Sequence, residues 1–181
     1  MQPLLRVDLS SRAAHPYVIP PDWQRLFLGG ASLAARLLYE DLLPDLDPLA
    51  PESPLLFITG PLTGTAGPAT GRFVVCGKGP ATRLWAESNC GGFWGPELRS
   101  AGYDGLWITG RADRPVFLWI DDGIVEFRDA SMIWGSETYE AQELVKQSIG
   151  KSGVPDWLGR RHGFQESQGN RRPRHPRSAA V

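Results

Sequence analysis

The last 23 residues of this 181-residue chain, Gly159 to Val181, hold six arginines and a single acid, Glu166. They contain almost no aliphatic side chains and show neither helical nor strand periodicity. Such a stretch cannot bury enough apolar surface to offset the entropy of ordering it. The fold must therefore be built from what precedes it, and the tail is expected to be disordered. The tail carries +5, so Met1 to Leu158 carry −6 beneath a net charge of only −1. Three origins fit the tail: a nucleic-acid-binding arm, which lacks the usual interleaved aromatics; a solvated tail; or out-of-frame translation of a GC-rich gene, whose shifted codons yield Arg, Gly, Pro, Ala and His. The division expected is a domain over residues 1–155 and a basic tail over 156–181.

The rest of the composition is that of an ordinary globular chain, with 41% hydrophobic and 22% charged residues. The near-zero net charge gives no global reason to expect nucleic acid as a partner. Two cysteines, Cys76 and Cys90, are too few for a disulfide scaffold or an all-cysteine metal site. No charged region followed by an apolar one opens the chain as a signal peptide would. The longest uncharged window, Ser53 to Gly71, holds three prolines and four glycines, which no membrane helix tolerates. A soluble, reducing, cytoplasmic setting is the expectation.

Gly and Pro cut the remainder into short elements. Leu4 to Leu9 reads as a first strand ending at Ser10-Ser11, and Tyr17 to Ile19 as a second, closed by Pro20-Pro21. Asp22 is placed to cap a helix carrying Trp23, Leu26 and Phe27. Gly29-Gly30 should break it, and a second helix is expected from Ala31 to Asp41. Pro44 to Pro54 reads as a surface connection. The apolar run Leu55 to Thr59 reads as a buried strand, Gly60 to Gly71 as a flexible polar loop, and Arg72 to Cys76 as a strand. Arg83 to Ser88 suits another. Asn89 to Gly92 reads as a loop opening a helix from Phe93 to Ala101, with Gly102 in the C′ place. Strands follow at Gly105 to Thr109, Val116 to Ile120 and Ile124 to Arg128, with an Asp122-Gly123 hairpin turn and a last helix ending at Ser148. The class is α+β: mainly antiparallel sheets with a few helices.

The chemistry-bearing residues are few. Two glycine-rich segments, Gly60 to Arg72 and Asn89 to Gly92, each follow a strand. Glycine admits close approach of a ligand to the backbone, loop amides hold anions, and Arg72 adds a fork of cationic donors. The plainer alternative is that the glycines make turns and Arg72 a surface ion pair. Neither segment matches the Walker or dinucleotide fingerprint. His15 is the only histidine outside the tail and has no paired nucleophile in sequence. Cys76 falls on a strand as a small hydrophobe. Cys90, beside two glycines and a helix start, is either a reactive thiol or a solvated one. Asp121-Asp122 read as a hairpin tip, and the seven tryptophans as core and rim. No residue is assigned a catalytic role.

Several strings occur together: Arg6-Val7-Asp8-Leu9-Ser10, Gly60-Pro61-Leu62-Thr63-Gly64-Thr65, Gly71-Arg72-Phe73, Asn89 through Leu98 (NCGGFWGPEL), Ala101-Gly102-Tyr103-Asp104, Arg128 through Ser131, and Trp134-Gly135. In content, order and spacing they resemble the N-terminal domain of the tungsten-containing aldehyde ferredoxin oxidoreductases, over about residues 4 to 150. The resemblance implies a β-rich base on which a tungsten or molybdenum bis-pterin cofactor rests. It implies an enzyme oxidising an aldehyde to a carboxylic acid and passing two electrons through a [4Fe-4S] cluster to ferredoxin. By the same resemblance Arg72 matches the arginine between pterin and cluster. Asn89 matches the residue whose backbone helps hold the magnesium ion bridging the pterin phosphates, and Cys90, Gly91 and Gly92 continue that loop. The family position matching Cys90 is often serine, so its thiol receives no role.

The departures concern the C-terminal end. The family domain continues through a further glycine-rich stretch, and later domains supply the cluster cysteines; the resemblance here fades just after Gly150, where the arginine-rich text begins. This favours the out-of-frame origin of the tail and implies a chain incomplete at that end and inactive alone. The alternative is a pterin-binding or scaffold subunit working with a separately encoded partner. A homodimer stays open.

Overall fold

The computed structural model describes residues 1–149 and 178–180. Strands β1 (Leu4–Asp8), β2 (Ala13–Tyr17), β3 (Leu55–Thr59), β4 (Phe73–Lys78), β5 (Trp85–Cys90) and β6 (Gly105–Thr109) form a six-stranded sheet in the order β2-β1-β6-β3-β4-β5. Within it β1 and β6 run parallel and the other neighbours antiparallel. A second sheet joins β7 (Val116–Asp121), β8 (Ile124–Asp129) and β9 (Ser178–Ala180) in the order β8-β7-β9. The helices are α1 (Pro21–Phe27), α2 (Gly30–Asp41), α3 (Trp94–Ser100) and α4 (Thr138–Ile149). The α+β class with mainly antiparallel pairing is the one the sequence predicts.

The large sheet is covered on both faces, which explains why β3 (LLFIT) and β6 (GLWIT) read as unbroken apolar runs. Leu4, Leu56, Ile58 and Trp107 point to one face and meet Leu33, Leu37 and Leu38 of α2. Leu5, Val7 and Leu106 point to the other, against Leu98 of α3 and Leu118 and Ile120 of β7. The two-residue alternation along β1 and β6 thus feeds two separate cores.

Several boundaries differ from the sequence reading for identifiable reasons. The second strand is Ala13–Tyr17, earlier than Tyr17 to Ile19. The Asp8 carboxylate accepts the Ser10 amide at 2.8 Å and the Ser11 hydroxyl at 2.7 Å, so the chain turns tightly and pairing restarts at Ala13. The Ser11 hydroxyl and then the Ser10 amide hold that carboxyl below its ordinary pKa. Pro16 is tolerated because β2 is an edge strand. Asp22 does not cap α1. Pro20 holds that place, with Pro21 in the first turn, where a missing N–H costs nothing. Gly29 separates α1 from α2 as expected, at φ +152 and with its Cα so near β3 that a Cβ would lie 2.9 Å from the Thr59 carbonyl oxygen.

Two turns follow their sequence signals closely. Asp122 and Gly123 both have positive φ, 44° and 83°, the type I′ pattern that matches strand twist. At the end of α3 the Gly102 amide bonds Arg99 O and the Tyr103 amide bonds Leu98 O, a Schellman closure on the expected glycine.

The tail requires one correction. Ser178–Ala180, inside the stretch expected to be disordered, pairs antiparallel with β7, Asp121 opposite Ser178 and Trp119 opposite Ala180. An unpaired β7 edge presents a row of free N–H and C=O groups that accepts an extended segment whatever its side chains. The boundary expected at residue 155 and the rest of the 156–181 tail lie outside the described residues. No helix among the described residues is long and apolar enough to cross a membrane.

Candidate functional site

The β3, β4 and β5 ladder brings the two glycine-rich segments to one edge of the sheet. The register sets Phe73 against Cys90 and Val74 against Asn89, so Arg72 enters β4 beside the point where Gly91-Gly92 leave β5. Asn89 and Cys90 are thus strand residues, not the loop the sequence suggested. β5 is exposed along its whole length, and pairing with β4 rather than any apolar pattern makes it a strand. α3 is also shorter than expected, seven residues with Phe93 at its N-cap.

The 60–71 segment is not flexible in the sense its composition suggests. The Gly64 amide donates to Thr70 O at 3.1 Å, and the Thr70 hydroxyl donates to Thr65 O and Gly67 O. The two segments then touch backbone to backbone. A Cβ on Gly71 would fall inside the van der Waals envelope of the Gly92 carbonyl oxygen. A Cβ on Gly95 would lie 3.1 Å from Thr63 Cγ2 and 3.3 Å from Gly71 O. Trp94 fixes the start of α3 to the sheet, its ring 4.3 Å from Phe73 and 5.6 Å from Phe57 by centroid.

Between the segments lies an open depression of about 550 Å³, lined by Thr65, Thr70, Gly71, Arg72, Gly91, Gly92 and Phe93 among others. That volume falls in the range of small-molecule sites. Space is open where side chains on Gly91 and Gly92 would start. Arg72 is exposed to this depression, and its Nη1 donates to Asn89 Oδ1 at 2.5 Å. Among the described residues the side-chain partner of Arg72 is this neutral carboxamide and not an acid. Backbone without Cβ atoms and one oriented guanidinium make a surface suited to a phosphate-bearing ligand.

Of the residues singled out from sequence, Arg72, Gly91 and Gly92 line the depression. Asn89 reaches it through Arg72. Cys90 is exposed beside it, with its thiol 3.5 Å from the Gly91 carbonyl oxygen. Cys76 is buried, and desolvation, helped by Glu87, pushes its thiol up to about 12, which leaves it inert. His15 lies exposed on edge strand β2, opposite Arg6. Asp121 sits at the end of β7, where burial and then Asp122 and Glu126 raise its pKa. Among the described residues no group of three or more His, Cys, Asp or Glu gathers closely enough to hold a metal ion.

Three residues the sequence reading passed over organise the site. Thr63 is buried at 4% exposure; its hydroxyl accepts the Gly60 amide at 3.0 Å and donates to the Arg72 carbonyl at 2.8 Å. Arg99 of α3 donates through Nη1 to the carbonyls of Thr63 at 2.7 Å and Pro61 at 3.0 Å. Its Nε lies 2.7 Å from Asp104 Oδ1, an ion pair by distance rather than an aligned hydrogen bond. Asp104 is 1% exposed, and its other carboxylate oxygen accepts the Gln2 amide at 2.8 Å. The strings Pro61-Leu62-Thr63 and Tyr103-Asp104 hold two of these residues, but nothing in one dimension says that they meet Arg99.

The class so defined is an α+β domain that brings two glycine segments and a guanidinium together at a sheet edge. The family model for the aldehyde ferredoxin oxidoreductase N-terminal domain matches residues 4–156, and the chain belongs to that family. It is 38% identical over 151 residues to the tungsten-containing aldehyde ferredoxin oxidoreductase of Pyrococcus horikoshii, covering 83% of this chain and 25% of that protein. It is 35% identical to a Pyrococcus furiosus protein named aliphatic sulfonate oxidoreductase, WOR-like subunit, covering 84% of this chain and 26% of the relative. A solved structure titled active site complex BamBC of benzoyl coenzyme A reductase in complex with 1,5-dienoyl-CoA superimposes with a TM-score of 0.79 at 36% identity, over 82% of this chain and 23% of that one. The chain therefore spans about a quarter of the length of these relatives.

Proposed function

We propose that this chain is the N-terminal, tungstopterin-binding part of an aldehyde ferredoxin oxidoreductase. The reaction is the oxidation of an aldehyde with water to a carboxylic acid, releasing two protons and two electrons that pass through a [4Fe-4S] cluster to ferredoxin. The observation that carries the reading is the single depression built by the 64–72 and 91–93 segments around the Arg72 guanidinium. The residues fit the phosphates of a pterin: the close approaches there are made by glycine backbone, and among the described residues the Arg72 guanidinium contacts a neutral carboxamide. The cofactor-side residues would be Arg72, Asn89, Cys90, Gly91 and Gly92, and the Asn89 main chain would help hold a magnesium ion.

Bound there, the tungsten or molybdenum bis-pterin group supplies the two-electron redox chemistry. This chain supplies position and charge: Arg72 offsets the phosphate anions, Asn89 aims Arg72, and the glycines leave room for the ligand against the backbone. A [4Fe-4S] cluster takes four cysteine thiolates, and the chain holds two cysteines, one of them buried. The cluster ligands thus come from outside these 181 residues, and the chain alone is catalytically incomplete. The domain is residues 1–155, close to the span of the family match, and Ser178–Ala180 of the 156–181 tail pair with its strand β7. The setting is cytoplasmic, with a homodimer as the assembly to test and no nucleic acid or membrane as partner.

A second reading, a pterin-binding or scaffold subunit with a separately encoded partner, draws support from relatives whose names include a subunit and a complex. A co-purifying chain with closely spaced cysteines favours it. The test of the main reading is to produce the chain with tungstate and assay it. The chain is expected to carry tungsten and an oxidisable pterin, and not to reduce a viologen dye with aldehyde. A folded chain without pterin overturns the cofactor assignment, and aldehyde-dependent dye reduction overturns the incompleteness.

A further inference from the structure

We propose that Thr63 and Arg99 are positioning residues of the phosphate cradle, linked in one chain of contacts from buried Asp104 to Arg72. The inference rests on the reading of the depression as an anion site. Asp104 is the fixed point. Its carboxylate takes the Gln2 amide, and its carbonyl takes both the amide and the hydroxyl of Thr59, at 2.9 and 2.7 Å, which ties it to the last residue of β3. Arg99 leans on that carboxylate through Nε and spends Nη1 on carbonyls of the turn immediately after β3. The turn is thereby drawn onto α3, the helix that follows Gly91-Gly92.

Thr63 passes this constraint onward. Its hydroxyl bridges the Gly60 amide at the start of the segment and the Arg72 carbonyl at its end. One buried hydroxyl therefore closes the 60–72 loop at the residue whose guanidinium faces the ligand. A carbonyl that wandered would carry the Arg72 side chain with it, and a guanidinium is useful to a phosphate only in a set geometry. The Thr63 methyl does a different job, packing toward Gly95 of α3. Hydroxyl and methyl can be removed separately.

Thr63→Val keeps the shape and deletes the hydroxyl; Thr63→Ser does the reverse. The full 181-residue chain is titrated with magnesium pyrophosphate by calorimetry, and each variant's Tm is recorded alongside. The expected result is about tenfold weaker binding for Thr63→Val, the loss of one buried hydrogen bond, and affinity within about threefold of the parent for Thr63→Ser. Arg99→Lys keeps the charge beside Asp104 but loses the fork. It is expected to speed backbone amide exchange across residues 60–72 and to weaken binding. Equal weakening by Val and Ser, or none by either, overturns the positioning role while the anion site stands. If the parent chain binds no pyrophosphate, the anion-site reading falls and takes this inference with it. Unchanged amide exchange in Arg99→Lys removes Arg99 from the chain of contacts whatever the ligand.

Discussion

Gly71→Val is expected to abolish binding at the depression and to lower stability by about 3 kcal/mol, the scale of a forced overpacking. The first atom of the new side chain would fall inside the van der Waals envelope of the Gly92 carbonyl oxygen. No rotamer relieves this, because the clash is at Cβ and the opposing atom is backbone. The 64–72 and 91–93 segments must then separate, and the depression they form between them loses its wall. A urea midpoint together with a pyrophosphate titration checks both parts. A variant with parental binding contradicts the geometry of the site, since it would mean that the segments are not in contact. Gly91→Ala supplies the contrast: open space surrounds its Cβ position, so little change in stability is expected from sterics.

The second large effect is at Asp104. Asp104→Ala is expected to cost about 3 kcal/mol, because it leaves the Arg99 guanidinium facing a vacated, buried position and strands the Gln2 amide. Arg99 retains some solvent exposure, 23% of its side chain, which keeps the cost at the low end of a broken buried pair. The double variant Asp104→Ala with Arg99→Met should be less destabilised than the sum of the two singles, since the orphaned charge is gone. Additivity in that cycle, read from denaturant midpoints, would show that the pair is not coupled.

How far the sequence foretold these features depends on where the determining interaction lies. Leu55–Thr59 and Gly105–Thr109 coincide with their predicted spans because burial on both faces writes an apolar run directly into the chain. The Asp122-Gly123 turn and the Gly102 closure of α3 are legible because each needs positive φ, which few residues accept. β2 and β5 were misplaced because nothing in AAHPY or WAESNC alternates; both are edge strands held by their neighbours' ladders. At the site, glycine content marked the two segments and Arg72, but it also suggested a slack loop. The order in that loop comes from Thr63, Thr70 and Arg99, whose partners are distant or depend on the fold.

On the function proposed above, the depression between the two glycine segments holds a phosphate-bearing ligand. The most direct test of this is an amide NMR titration of the 181-residue chain with magnesium pyrophosphate. Saturable shifts are expected, concentrated at Gly64 to Arg72 and Gly91 to Phe93, and they should disappear in Arg72→Ala with the remaining spectrum unchanged. Shifts that cluster elsewhere on the sheet, or that persist in full without the Arg72 guanidinium, would contradict it.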